Sequence, residues 1–357
     1  MAEIYVNNQY WVGNVEIHRN SSEWYSHNHH KDPCYSNIIL HVVFNEDVEI
    51  PWLTTLVLSD HLNEKKLQQI LSELESQKVC FQLSLNDLFS SVENTISYDE
   101  LILRRLDKKA DNIERELKSM KNDWEETFYI SLARNFGFVK NALPFEWMAR
   151  NTPLTYTRRI GNNHFQLESL YFGQSGMLNE ESEDEYYIQM KWAYSVLRRK
   201  FGLNNIDHHV WKFMRMRPLN FPTLRIAQFT DLMHRNSGIF SKVLETKSAK
   251  EMSALFSAQA CEYWNSKYSF SRESPDREKH LGNDSINNLI INTVVPFLWL
   301  FGRRRKAVSM RELAMRILLE TPPETNGIMR QFGTAGVIAE NAMMSQALLE
   351  LNSEKTQ

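Results

Sequence analysis

Cysteine is scarce: Cys34, Cys80 and Cys261 are odd in number and far apart among 357 residues. That excludes a disulfide framework and fits reduced thiols in a cytoplasm. Neither sign of charge dominates. The 41 Lys and Arg against 44 Asp and Glu give a formal charge of −3, which excludes the uniformly basic surface of a nucleic-acid coat protein but leaves room for local basic patches. The start, MAEIYVNNQYW, lacks a basic stretch followed by an apolar one, so no secretion is expected. The most apolar run, LIINTVVPFLWLFG from Leu289 to Gly302, contains Pro296 and is too short for a bilayer, so no membrane span is expected. A P-loop, a dinucleotide Gly-rich fingerprint, a nucleophile elbow and repeats of solenoid length are also missing.

What is present changes character along the chain. Glu3 to Val6 and Trp11 to His18 alternate and are rich in Ile, Val, Tyr and Trp, with Asn7 and Asn8 between them, which predicts a hairpin. SSEWYSHNHHKDP predicts a short helix with Ser21 or Ser22 as N-cap, stopped before Pro33. Asn37 to Phe44 reads as a buried strand, with another around Leu53 to Leu58 and an amphipathic helix near Glu64 to Ser76. From Tyr98 helical periodicity dominates, predicting helices over 98–121, 125–136, 185–200, 223–234, 285–300, 310–319 and 337–351. The expected fold is α+β: a small N-terminal α/β segment over residues 1–97 followed by a large, mostly α-helical region over 98–357.

Several long segments carry a resemblance. WVGNVEIHRNSSEWYSHNHHKDPCYSNIILHVV, ARNFGFVKNALPFEWMA, LESLYFGQSGML, WKFMRMRPLNFPTLRIAQF, LIINTVVPFLWLFG and PPETNGIMRQFGTAGVIAENAMMSQALLEL, in this order, are similar to domain-of-unknown-function family 2851 over nearly the whole chain. The resemblance implies an upstream Gly-Pro-Asp-Phe segment and a cysteine-containing tail. Neither is among these residues, so a shortened or divergent member is expected.

The predicted hairpin, helix and strand also resemble an incomplete restriction-endonuclease-like core. Such nucleases place an Asp on one strand and Glu-x-Lys on the next, the carboxylates holding Mg2+ and the Lys polarising water. Here VEIH puts Glu16 and His18 on one face of a strand, with Ile17 on the other. His18 stands where Lys would be and is expected to act as a general base or a ligand. The partner Asp would belong to the upstream segment, so weak or lost activity is expected for this chain.

His18, His27, His29, His30 and His41 cluster near Asp32 and Cys34. Glu16, His27 and His29 are therefore candidate ligands for Mg2+ or another divalent metal, with Zn2+ suited to imidazole and carboxylate donors. The competing reading is a polar helix end whose histidines face water, with His41 a hydrogen-bonded core residue. Lys212, Arg215, Arg217, Asn220 and Arg225, interleaved with Trp211, Phe213 and Phe221, could contact DNA or RNA or tie helices together. Pro218 and Pro222 bracket a stiff loop, and Thr223 is the expected cap of the helix that follows. Basic runs at 104–109, 198–200 and 303–306 read as solvated faces or dipole caps, one of which could extend a nucleic-acid path. FGQSGML reads as a helix end with Gly173 and Gly176 in the turn, and PPETNG as a turn and cap.

These residues support a nuclease-related protein first, with a non-catalytic binding or scaffold protein as its equal and a histidine-based metal hydrolase third. The nuclease needs Glu16 and His18 together in a cleft beside basic groups. The scaffold needs them isolated. The hydrolase needs three histidine or carboxylate side chains converging on one point.

Overall fold

The alternating strands pair as expected in the computed structural model, which describes residues 2–6, 9–32, 35–61 and 98–355. Strand β1 (Ala2–Val6) runs antiparallel to β2 (Gln9–Asn20), in register from Ala2 opposite Gly13 to Val6 opposite Gln9. A one-turn helix α1 (Glu23–Ser26) and a 3-10 turn (His29–Lys31) follow. Strands β3 (Ile38–Asn45) and β4 (Thr55–Val57) then complete a sheet of order β1-β2-β3-β4, with β3 parallel to β2 and β4 parallel to β3. Gly13 permits the start of the parallel pairing, because a Cβ there would lie 2.4 Å from Ile39 Cγ2. The Asn7–Asn8 turn, Cys34, Cys80 and the helix expected at 64–76 lie outside the described residues.

The described residues fall into two compact units. One holds this sheet together with Phe213–Arg215; the other holds the remaining residues from 98 onward.

The second unit is built from α2 (Tyr98–Ser119), α3 (Trp124–Phe136), α4 (Phe138–Arg150), α5 (Leu154–Ile160), α6 (His164–Gln174), α7 (Glu185–Phe201) and α8 (Pro222–Arg235). It continues through α9 (Ile239–Glu245), α10 (Ala249–Phe256), α11 (Asn283–Leu289), α12 (Val295–Arg305), α13 (Val308–Glu320), α14 (Gly327–Thr334) and α15 (Ala342–Lys355). Its core is aromatic: Trp124 lies flat on Phe240 at 5.4 Å, and Phe128 meets Phe297 edge-on at 5.0 Å. The apolar run at 289–302 lies in a continuous helix, Asn283–Arg305, joined through a π-helical turn at Ile290–Val294. By length and composition this helix could cross a membrane, and 72% of its apolar window is buried within the protein.

Four expectations are corrected here. The basic run at 104–109 is not merely solvated: Arg105 and Lys108 pair with Glu350 of α15, and Arg303 of α12 pairs with Asp107, Asp111 and Glu114 of α2, tying three helices together. Thr223 does not cap α8, because Pro222 is already its first residue and the Thr223 hydroxyl donates to Tyr268 O at 2.5 Å. Gly173 is inside α6, where a Cβ would lie 2.1 Å from the Tyr194 ring; only Gly176, at φ 76°, makes the turn. The last helix starts at Ala342 rather than Val337, because Asn341 Oδ1 accepts from Met344 N at 2.9 Å and caps it.

Lys109 of α2 donates to Asn292 Oδ1 at 2.8 Å and to Gln346 Oε1 at 2.7 Å. Burial pushes its pKa down to about 7, with Arg105 adding to the shift. The unfolded chain holds this proton to a pKa of about 10.4, so between the two values the unfolded state binds more protons than the native one. Stability should therefore rise with pH across that window. Urea midpoints at neutral and alkaline pH should show this rise in the native sequence and a flatter profile in Lys109→Met. Parallel profiles would refute it.

Candidate metal centre

Two-residue spacing on β2 puts Glu16 and His18 on the same buried face, with Ile17 exposed on the other. His41 of β3 stands opposite Glu16 in the parallel register and joins that face. His27 and His29 are delivered by a local device at the end of β2. Ser21 Oγ donates to Val48 O at 2.7 Å and accepts from Val48 N at 2.9 Å, and Asp47 accepts from Ser22 N at 2.9 Å. The serine hydroxyls thus serve Asp47 and Val48 rather than capping α1, contrary to expectation. Hydrogen bonds from Ser22 hold the Asp47 carboxyl down at about 2. Asn28 then takes φ 58°, a left-handed conformation that Asn tolerates, turning the chain between the two histidines.

The result is a histidine cluster. His18, His27 and His29 each offer a ring nitrogen within 4.8 Å of the other two. His18 Nε2 is 3.3 Å from His27 Nδ1 and 3.7 Å from Glu16 Oε1, and His18 Nδ1 is 2.8 Å from His41 Nε2. His29 is held by its ring, stacked on Tyr35 at 3.7 Å and edge-on to Trp24 at 5.4 Å. For His18 to offer Nε2 to a cation, its Nδ1 must carry the proton and donate to His41, the outer support typical of ligating imidazoles. Burial lowers the pKa of His18 and His29 and takes His41 down to about 4, so near neutral pH His18 and His29 are neutral and keep a lone pair for a cation, while neutral His41 accepts from His18.

Glu16 sits beside the triad. Its Oε1 accepts from Arg215 Nη2 at 3.0 Å, and among the described residues its buried Oε2 has no hydrogen-bond partner. Arg215, with 54% of its side chain exposed, opens this corner to solvent. A buried carboxylate oxygen without a donor, next to three imidazoles, suits a bound cation. Ligands around tetrahedral Zn2+ lie about 3.3 Å apart given bonds of 2.0–2.1 Å, so the rings would draw inward on binding. The donors are mostly nitrogen, which favours Zn2+, Mn2+, Fe2+ or Co2+ over Mg2+.

A family model described as "Protein of unknown function (DUF2851)" matches residues 1–327. The chain belongs to the DUF2851 family. No curated protein and no solved structure matches it.

In this DUF2851 chain the Arg-rich stretch divides. Arg215 belongs to the sheet unit, whereas Lys212, Arg217, Asn220 and Arg225 belong to the helical one. Arg225 is buried; its guanidinium donates to Asn220 at 2.7 Å, Gln228 at 3.1 Å and Ser285 at 3.1 Å, and lies 4.7 Å from the Phe138 ring centroid. It acts as an internal tie, with Asn220 as one of its acceptors. Lys212 is clamped through its backbone by Asn141, and Arg217 is exposed. His30 packs on Tyr25 outside the triad.

Two polar features escaped the sequence reading. Glu168, inside the apolar LESLYFG, is fully buried and accepts from Tyr186 at 2.5 Å and Trp264 at 2.8 Å, with the Cys261 thiol at 3.5 Å. A cavity of about 810 Å³ is lined by Lys109, Asn112, Arg134, Asn135, Glu324 and Asn326 among others. Its charges are committed to one another, Arg134 to Glu146 and Arg150 to Glu116 and Glu146. Of PPETNG, Asn326 caps α14 as expected, and Glu324 accepts from Asn292 and Gln346.

Proposed function

We propose that the sheet unit carries a divalent-metal centre of a nuclease-related phosphodiesterase, held by His18, His27 and His29 with Glu16 as the adjoining carboxylate. The observation that carries this reading is the convergence of three ring nitrogens within 4.8 Å of one another beside a carboxylate oxygen without a donor. The sheet supports the nuclease relation: an antiparallel hairpin bears Glu-x-His, and a parallel strand follows after a short helix. A metal bound here would lower the pKa of a water and polarise a phosphoryl oxygen. Glu16 is then placed to accept the proton of the attacking water. Arg215, already on Glu16, offsets negative charge on a phosphodiester. His41 fixes the His18 tautomer.

The test uses the full chain with labelled DNA and RNA, single- and double-stranded, in Mn2+, Co2+, Zn2+ or Mg2+. Cleavage should require the transition metal. Glu16→Gln should reduce it by about 10²–10⁴-fold, the range for general acid–base groups, while metal uptake persists. A chain that binds metal yet cleaves no strand would sink the phosphodiesterase reading, and a chain that binds no metal would sink the centre itself.

A further inference from the structure

Five cations meet at one place in the helical unit. The Tyr156 ring of α5 stacks on the Phe201 ring of α7, centroids 4.9 Å apart. Arg158 and Arg159 follow Tyr156 at the end of α5, and Arg198, Arg199 and Lys200 precede Phe201 at the end of α7. All five are exposed, and none of them has an ion-pair partner within 4 Å among the described residues. Capping the α7 dipole accounts for Arg198, whose Nε donates to Leu203 O at 3.3 Å. Arg199 and Lys200 share that last turn, Arg199 Nε reaching Ser195 O at 3.3 Å and Lys200 Nζ lying 5.2 Å from the Phe201 ring centroid, yet among the described residues no carboxylate neutralises them.

Along α7, Ile188, Trp192 and Val196 recur every fourth residue and are 50%, 70% and 40% exposed. Trp192 and Arg199, two turns apart, share a face. Next to them Ser195, Arg198, Arg199, Gly202, Leu203 and Asn204 line an open concavity of about 490 Å³. A large aromatic ring in solvent beside cations that no carboxylate neutralises among the described residues matches a ligand with flat rings on an anionic backbone.

We propose that the C-terminal half of α7 and the end of α5 bind single-stranded nucleic acid, a base stacking on Trp192 and phosphates meeting Arg199, Lys200, Arg158 and Arg159. In a duplex the base faces are covered, so Trp192 selects unpaired strands. An anionic membrane would also attract cations around a tryptophan. It is disfavoured because the other end of α7 is acidic, with Glu181, Glu183, Asp184 and Glu185, and a bilayer lying along the helix would meet both ends. A strand crossing only the basic end does not. The proposal rests on the phosphodiesterase reading only in taking the bound strand as substrate.

The experiment is fluorescence anisotropy of the full chain in EDTA with a labelled oligothymidylate of about 16 nucleotides, near the upper site size of single-strand binders. Binding should weaken steeply with salt. Trp192→Ala should weaken it about tenfold, within the range measured for stacked bases. The double variant Arg199→Glu, Lys200→Glu should weaken it further and flatten the salt dependence. A duplex of the same length should bind less tightly and ignore Trp192→Ala. All three positions are exposed, so these variants keep the fold, which circular dichroism checks. No salt-dependent binding, an unchanged affinity in Trp192→Ala, or preference for phosphatidylserine vesicles over the oligonucleotide would overturn the proposal. Because metal is absent throughout, a negative result leaves the phosphodiesterase reading intact, and strand binding without metal uptake overturns that reading alone.

Discussion

His18→Ala is expected to lower the affinity of the chain for Zn2+ or Co2+ by about a hundredfold or more, since even outer-shell partners of ligands contribute about 10–100-fold. His18 is the middle of the cluster: one ring nitrogen lies 3.3 Å from His27 and 3.7 Å from Glu16, and the other 2.8 Å from His41. Its loss removes a donor and also the ring on which His29 stacks at 5.2 Å. His41→Ala should have a smaller effect, about tenfold, because it acts only through the His18 tautomer. His30→Ala should have none. Competition with a chromophoric chelator measures all three. Equal losses in His30→Ala and His18→Ala would mean that metal is held by scattered surface histidines and not by the triad.

The second large effect concerns stability. Glu168→Leu should destabilise the chain by about 2–5 kcal/mol, because it strands the neutral donors aimed at this side chain, at about 1–3 kcal/mol for each left unsatisfied. The carboxylate is fully buried, and Tyr186, Trp264 and Cys261 all point donors at it. Leucine fills similar space but leaves the buried Trp264 indole N–H without an acceptor and the half-buried Tyr186 hydroxyl with only the Cys261 sulfur in reach, an unmade bond costing about 1–3 kcal/mol. Glu168→Gln keeps one acceptor oxygen and should cost markedly less. Urea denaturation decides between them. If Glu168→Leu were within about 1 kcal/mol of the native chain, the donors would have found other acceptors.

Such a loss would be a large part of the roughly 5–15 kcal/mol that separates folded from unfolded states of a typical domain. Glu168 thus supports the helical unit, whereas the His18 cluster is the proposed metal centre. Substitutions at the two places separate the roles: one moves the denaturation midpoint and the other moves metal affinity.

Much of this was legible in the residues. Period-two alternation predicted the hairpin and the shared face of Glu16 and His18, and period-3.6 apolar spacing predicted helices at 98–121, 125–136 and 185–200 close to where they occur. Both patterns are local, since they depend only on which side of a strand or helix a residue faces. Local too were the candidates His27 and His29, because adjacency in the chain kept them near β2.

Their convergence was not local. It depends on the Ser21–Val48 and Ser22–Asp47 hydrogen bonds that anchor α1, on the left-handed Asn28, and on the β2–β3 register that brings His41 under His18. Arg215 reaches Glu16 from 199 residues away, a pairing that no spacing rule encodes. The same holds for Arg225, whose charge suggested a phosphate contact while packing spent it on Asn220, Gln228 and Ser285. The sequence by itself determined the change from a strand-rich start to a helical remainder, the strongly periodic helices and a small set of candidate metal ligands, because backbone propensity and side-chain periodicity act over a few residues; helices such as Phe138–Arg150 and Ala249–Phe256 did not stand out in it. Which of those residues meet, and whether a given charge faces solvent or a buried partner, was decided only by the tertiary structure, because desolvation and hydrogen bonding depend on neighbours brought together from distant parts of the chain.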